Sequence, residues 1–127
     1  MIELTKAEEQ MMHLLWELGE GTVQDVIASM KEGKQPSRTT VSTIIRLLEE
    51  KGAVGHRAEG RGYFYYPLLK KEEYSHNQLK DFIKRHFNNS FSSLACFFVR
   101  ENNLSMEEID ELLEEIKKGS DKYIKNQ

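Results

Sequence analysis

Residues 37–51, SRTTVSTIIRLLEEK, carry two stripes of opposite character on one predicted helix. Val41, Ile44, Ile45 and Leu48 fall at i, i+3, i+4 and i+7 and make an apolar face. Thr39, Ser42, Thr43 and Arg46 repeat that spacing two residues earlier, which at roughly 100° per residue turns them about 200° away. A merely solvated face would be mostly Glu and Lys. Short hydroxyls ending in a guanidinium suit a surface that lies close to phosphates and base edges. Hydroxyls bond phosphate oxygens or touch thymine methyls, and an arginine reaches guanine or phosphate. Arg38 and Thr40, beside the stripe, complete the candidate set Arg38, Thr39, Thr40, Ser42, Thr43 and Arg46.

Charge is concentrated where that helix lies. The net charge of −3 would argue against nucleic acid if it were spread evenly. Residues 1–30 hold one cation and six anions, whereas residues 31–70 hold eight cations, Lys31 and Lys34 among them, and four anions. Residues 71–127 hold nine cations and eleven anions. Local sign governs phosphate binding more than the total does.

The elements that must position the helix follow from caps and periods. Thr5 with Glu8 forms a capping box, Ala7, Met11, Leu14, Leu15 and Leu18 give a helical stripe, and Gly19 and Gly21 end it. Thr22 caps a short second helix with Val23, Val26, Ile27 and Met30 inward. Gly33 and Pro36 part it from the third helix, which Ser37 caps and Gly52 closes. AVGHR (53–57) and YFYYPL (63–68) then read as a hairpin whose tip holds Arg61 between Gly60 and Gly62, with Pro67 ending the second strand. Arg61 is a candidate minor-groove or phosphate contact, with Arg57 as basic context. Of Tyr63, Phe64, Tyr65 and Tyr66, about half are expected in the core. Helix, helix, helix, hairpin is the order of a winged helix-turn-helix.

Beyond Lys70 the chain reads as three more helices. The first carries Leu79, Phe82, Ile83 and Phe87 and is broken by Asn88, Asn89 and Ser90. FSSLACFFV (91–99) is apolar on most sides, which implies burial all round, Cys96 included. Ser105 with Glu108 caps the last helix, with Ile109, Leu112, Leu113 and Ile116 as its stripe, and the tail from Gly119 on is polar. So much apolar surface on a small unit is most economically covered by a second copy of the chain. The dimer residues expected are Leu79, Phe82, Ile83, Phe91, Leu94, Phe98, Ile109, Leu112, Leu113 and Ile116.

His13, His56, His76 and His86 lack metal-ligand spacing, so no metal or other cofactor is expected. No catalytic residue is expected either, since paired carboxylates in an apolar setting, a nucleophile motif and a phosphate loop are all missing. No apolar run approaches 18 residues, the start lacks the pattern of a secretory signal, and a single cysteine forms no internal disulfide. The expected setting is the cytoplasm, without membrane insertion.

LTKAEEQMMHLLWELGEGTVQDV at the start, TTVSTIIRLLEEKG in the third helix and GRGYFYYPL in the hairpin resemble the BlaI/MecI/CopY family of bacterial transcriptional repressors, the penicillinase repressors, over almost the whole chain. The resemblance implies a winged-helix domain (1–70) followed by a three-helix dimerisation domain (71–127). It also implies a homodimer on a dyad-symmetric, double-stranded operator, as in β-lactam-resistance operons. There a membrane sensor protease links β-lactam to cleavage of the repressor. The family often carries Arg where Leu47 stands here, after Arg46. The cleaved bond of the resistance repressors is Asn–Phe, and the matching pair is Phe97–Phe98, which leaves the inducer open. The copper-sensing branch carries paired C-terminal cysteines that this chain lacks. Two rival readings stay in view: a winged helix used as a protein-interaction module, and a ligand-sensing repressor of another winged-helix family.

Overall fold

A computed structural model of the chain describes residues 2–30 and 36–125, with side chains to Gly119. Lys31, Gly33 and Lys34 lie outside the described residues. Among those described the order is α1 (Lys6–Leu18), α2 (Val23–Ser29), α3 (Arg38–Glu50), β1 (Val54–Glu59), β2 (Gly62–Pro67), α4 (Lys71–His86), α5 (Phe91–Glu101) and α6 (Met106–Lys125). This is the expected mainly helical chain with a single hairpin. It forms two compact units, Met1–Leu79 and Lys80–Gln127, and the division falls inside α4.

The first unit is built as its caps and stripes dictate. Thr5 Oγ1 accepts from the Glu8 amide at 3.2 Å while the Glu8 carboxylate accepts from the Thr5 amide at 2.8 Å. Thr22 and Asp25 form the same reciprocal box on α2. Gly19 ends α1 at φ +82°, a conformation L side chains rarely adopt. Met12 and Leu15 of α1, Val26 of α2, and Val41, Ile45 and Leu48 of α3 meet with Ala53 and Val54 in one core. Ile44 and Ile27 pack at its edge, whereas Leu18, expected in the stripe of α1, is exposed.

The hairpin pairs Val54 with Pro67 through to Glu59 with Gly62, so both strands run further toward the tip than the aromatic runs implied. Gly60 sits at φ +62° and Arg61 follows at negative φ, the φ pattern of a type II′ turn, whose twist suits a two-residue hairpin. Tyr65 also exchanges two backbone hydrogen bonds with Gly21 (3.0 and 2.8 Å), tying the wing to the α1–α2 loop. The expectation that half of the β2 aromatics are core is corrected. Only Tyr65 packs on the core, and partly, while Tyr63 is exposed and Phe64 and Tyr66 are half-buried. Tyr63 and Tyr65 share one face of the ribbon, but Tyr63 stands near the tip, away from the core, and Phe64 and Tyr66 on the other face are half-covered by the hairpin itself, Phe64 under Arg57. Tyr66 lies on Gly55, where an added Cβ would come within 2.9 Å of the ring.

In the second unit, Asn88 and Asn89 break the chain after α4 in left-handed conformations, φ 50° and 63°. Phe87 touches both Phe82 and Phe97, at ring distances of 6.0 and 5.5 Å. The expected all-round burial of residues 91–99 is corrected: no residue of α5 is buried, and Phe91 is 66% exposed. Cys96, expected inside, is likewise an exposed free thiol. Two helices and the end of a third supply too few layers within one chain to cover apolar positions on every side of α5.

Candidate nucleic-acid interface

α3 presents its two stripes to different surroundings. Val41, Ile45 and Leu48 are buried, and Arg38, Thr39, Thr43 and Arg46 are exposed, with Ser42 half-buried between them. Thr40 differs from its neighbours. It lines a crevice with Met11, Leu14 and Ile44, and its hydroxyl lies 2.9 Å from that of Ser37. Ser37 in turn caps the helix by accepting from the Thr40 amide at 3.2 Å. Thr43 donates its hydroxyl to the Thr39 carbonyl at 2.9 Å. Two of the four hydroxyls expected to face a ligand are therefore engaged within the helix, which leaves Thr39 and Ser42 as the open ones.

The cations sort as sharply. Arg57 is clamped by Glu20 at 2.7 Å and Glu59 at 2.8 Å, and its guanidinium lies over Phe64 at 4.7 Å. Lys51 donates to the Glu8 carboxylate and to the Glu3 carbonyl. By contrast, Arg38, Arg46 and Arg61 make no ion pair among the described residues. Among the described residues, the cations of segment 31–70 outside any ion pair are therefore Lys70 and the three arginines on α3 and at the wing tip.

Other contacts fix the frame. The Glu49 carboxylate pairs with His56 Nδ1 and so joins the end of α3 to β1. Burial pushes the Tyr65 hydroxyl upward, the charges of Glu49 and Tyr63 add to this, and Arg46 opposes it. Glu8 is 3% exposed. Burial alone would raise its pKa, but hydrogen bonds from Lys51 and Thr5 and the Lys51 charge outweigh burial and hold it below the usual value. Trp16 Nε1 donates to the Leu69 carbonyl at 2.8 Å, and Tyr74 donates to Glu9 at 2.6 Å. Burial and that carboxylate push the Tyr74 hydroxyl up to about 12. None of these long-range partners shows in periodicity, since they lie 37 to 65 residues apart.

Leu79, at the end of the first unit, is exposed, as are Phe82, Phe91, Phe98, Leu112, Leu113 and Ile116 of the second. Leu94 and Ile109 are half-buried, and Ile83 is buried within the chain. Phe97 and Phe98 stand exposed in the middle of α5. Among the described residues, no helix is long and apolar enough to cross a membrane.

The sequence model described as "Penicillinase repressor" matches residues 4–118. The methicillin resistance regulatory protein MecI of Staphylococcus aureus (strain N315) is 28% identical over 110 residues, covering 87% of this chain and 89% of that protein. The penicillinase repressor of Bacillus licheniformis is 29% identical over 110 residues, covering 87% and 86%. In three dimensions, the solution structure of the DNA-binding domain of the repressor BlaI superposes with a TM-score of 0.51 at 27% identity. It spans 57% of this chain and 89% of that one.

Proposed function

The chain belongs to the penicillinase repressor family and is a DNA-binding transcriptional repressor rather than an enzyme, and from that premise we propose that it acts as a homodimer on a dyad-symmetric operator. Each protomer lays α3 in a major groove. Arg46 takes base edges or phosphate, Thr39 and Ser42 bond phosphates, and Arg38 anchors the start of the helix. Arg61 at the wing tip reaches the adjacent minor groove or backbone. Thr40 shapes the N-terminal turn through Ser37 and touches DNA from the margin. Residues 1–70 are the DNA-binding domain and residues 71–127 the dimerisation domain. The latter joins its copy through the apolar residues of α4, α5 and α6, and half-sites lie about one helical turn, ~34–36 Å, apart.

The observation that carries the reading is the pairing pattern of the arginines. Arg57 is neutralised by two carboxylates, whereas Arg46 and Arg61 form no ion pair among the described residues. An open guanidinium on the outer face of α3 keeps its charge for a phosphate or for the two acceptors of guanine. The setting is the cytoplasm, where the operator is. Release follows from loss of the dimer. A cut at Phe97–Phe98 by a membrane sensor protease would part the last turn of α5 and all of α6 from the winged helix, and the controlled genes would be of the β-lactam-resistance type or related.

Fluorescence anisotropy with duplexes recovered from a random-core library tests the operator reading. Affinity for the recovered site should fall linearly with log salt as counterions are released. Arg46→Ala should cost ~1–3 kcal/mol on that site and less on random duplex. Equal loss on both would make Arg46 a phosphate contact, and binding without salt dependence would remove DNA from the reading.

A further inference from the structure

The outer face of α3 is not uniformly polar. Thr43 and Leu47 stand one turn apart, at i and i+4, and Leu47 is 43% exposed on a helix whose core positions are Val41, Ile44, Ile45 and Leu48. At ~100° per residue, Arg46 lies about 60° to one side of Thr43 and Leu47 about 40° to the other. The face therefore has a cationic half and an apolar half, with Thr43 between them.

The hydrogen bonding of Thr43 decides which half it serves. A threonine has a single O–H. In Thr43 that proton goes to the Thr39 carbonyl at 2.9 Å, inside the helix. What remains to face a ligand is oxygen lone pairs and the Cγ2 methyl. Lone pairs repel phosphate oxygens and the acceptors of guanine, so Thr43 is ill suited to either. A methyl beside an exposed leucine suits an apolar edge. Among the bases, thymine alone presents an apolar group, its C5 methyl, in the major groove.

We propose that Thr43 and Leu47 form an apolar reader of thymine methyl groups next to Arg46. The operator then carries thymine beside the base or phosphate that Arg46 contacts. This assignment rests on the operator reading above and deepens it by naming the base. It also gives Leu47, which has no place in the core, a partner of defined chemistry.

The test uses the full chain and a duplex recovered from a random-core library. Each thymine of the recovered site is replaced in turn by deoxyuridine, which removes the C5 methyl and nothing else, and the dissociation constant is measured by anisotropy. At least one thymine in each half-site should weaken binding about fourfold when demethylated, the ~0.8 kcal/mol of one buried carbon. Thr43→Ser should abolish the penalty at one such thymine, and Leu47→Ala should abolish or reduce it there or at the neighbouring one. Thr43→Val, which keeps the methyl and loses the hydroxyl, should preserve it. Circular dichroism melting checks that each variant is folded, and two of the three substitutions are at exposed Thr43 with little change in size. If every thymine tolerates demethylation with less than about a twofold change, the proposal is wrong. It is equally wrong if Thr43→Val erases the penalty as fully as Thr43→Ser, since the hydroxyl would then be the contact. Recovery of no duplex above a scrambled control would instead overturn the operator reading, and this assignment with it.

Discussion

Val41, Ile44, Ile45 and Leu48 of α3 and Ile109, Leu112, Leu113 and Ile116 of α6 repeat one spacing, yet Val41, Ile45 and Leu48 are sealed in a core shared with α1, α2 and the start of the hairpin, while Leu112, Leu113 and Ile116 stand about half exposed. The physical content of the two stripes is alike, an apolar face about a third of a helix wide. Their surroundings are not. The winged helix brings three helices and a hairpin around one centre, so each apolar face meets another within the chain. The second unit has too few layers to do so, and its exposed apolar residues run along α4, α5 and α6 together. That unpartnered apolar surface is where the proposed second copy would sit. Periodicity therefore specifies which face is apolar, and the number of elements available decides how much of that face the chain itself can cover.

The largest effect should come from charging the uncovered face. Leu113→Glu on α6 should convert a dimer into a monomer in sedimentation or light scattering at micromolar concentration. It should also lower operator affinity by roughly 10²–10⁴-fold, because two half-site contacts no longer reinforce each other. The winged helix should remain folded. A wild-type protein that is already monomeric would break the comparison, since the exposed stripe would then need no second copy.

The complementary substitution lies in the covered face. Leu48→Ala removes a fully buried side chain, and its cavity should cost ~2–5 kcal/mol in urea unfolding followed by Trp16 fluorescence. Trp16, the single tryptophan, sits in the first unit and so reports on the winged helix. Ile116→Ala should leave that transition in place. Equal shifts from both substitutions would mean that the two faces are not differently covered after all.

The winged helix was legible because its signals are local. Thr5, Thr22 and Ser37 cap helices within three residues of themselves, and Val41, Ile44, Ile45 and Leu48 repeat within two turns of one helix. Gly60 needs only its neighbours to make the turn. The site was legible in outline for the same reason, as a stripe of hydroxyls ending in Arg46. What the sequence hid was the state of each polar group. Thr43 looks like an open donor until its bond to Thr39 is seen. Arg57 looks like part of a basic patch until Glu20, 37 residues away, is found beside it. The exposure of α5 does not show in composition, which marks a helix apolar on most sides without saying whether the chain has elements to cover it.

A smaller and more selective effect is expected at Lys51. It bridges the end of α3 to Glu8, a carboxylate that is 3% exposed. Lys51→Met would leave that carboxylate buried without its cation and should cost ~1–3 kcal/mol at neutral pH. Because the folded-state pKa of Glu8 is held below its unfolded value, its contribution is present above the unfolded pKa and is lost as pH falls through the folded one. The gap between wild type and Lys51→Met in urea midpoint should therefore be widest above about pH 5 and narrow in acid. A gap that does not change with pH would mean that the stem of Lys51, rather than its charge, holds α1 to α3.

The smallest effect falls where the winged helix meets the start of α4. Tyr74 is buried, rests against Trp16 at a ring distance of 5.9 Å and donates to Glu9 at 2.6 Å. Tyr74→Phe keeps the ring and removes the hydroxyl, and since Glu9 is open enough to rehydrate, the loss should be ~1 kcal/mol below pH 10. The sign reverses in base. The unfolded hydroxyl titrates near 10, whereas the folded one is pushed up to about 12, so ionisation favours the unfolded chain between those values. The stability that Tyr74 contributes is whole below about pH 10 and drains away as pH climbs toward 12. Phenylalanine has nothing to titrate. Stability curves of the two proteins, both read by Trp16 fluorescence, should therefore cross between pH 10 and 12, with Tyr65 common to both and cancelling. Curves that stay parallel through that range would show that the hydroxyl ionises as easily folded as unfolded. The Glu9 bond would then not close this end of the winged helix, and the first unit would be less fully covered at α4 than at α3.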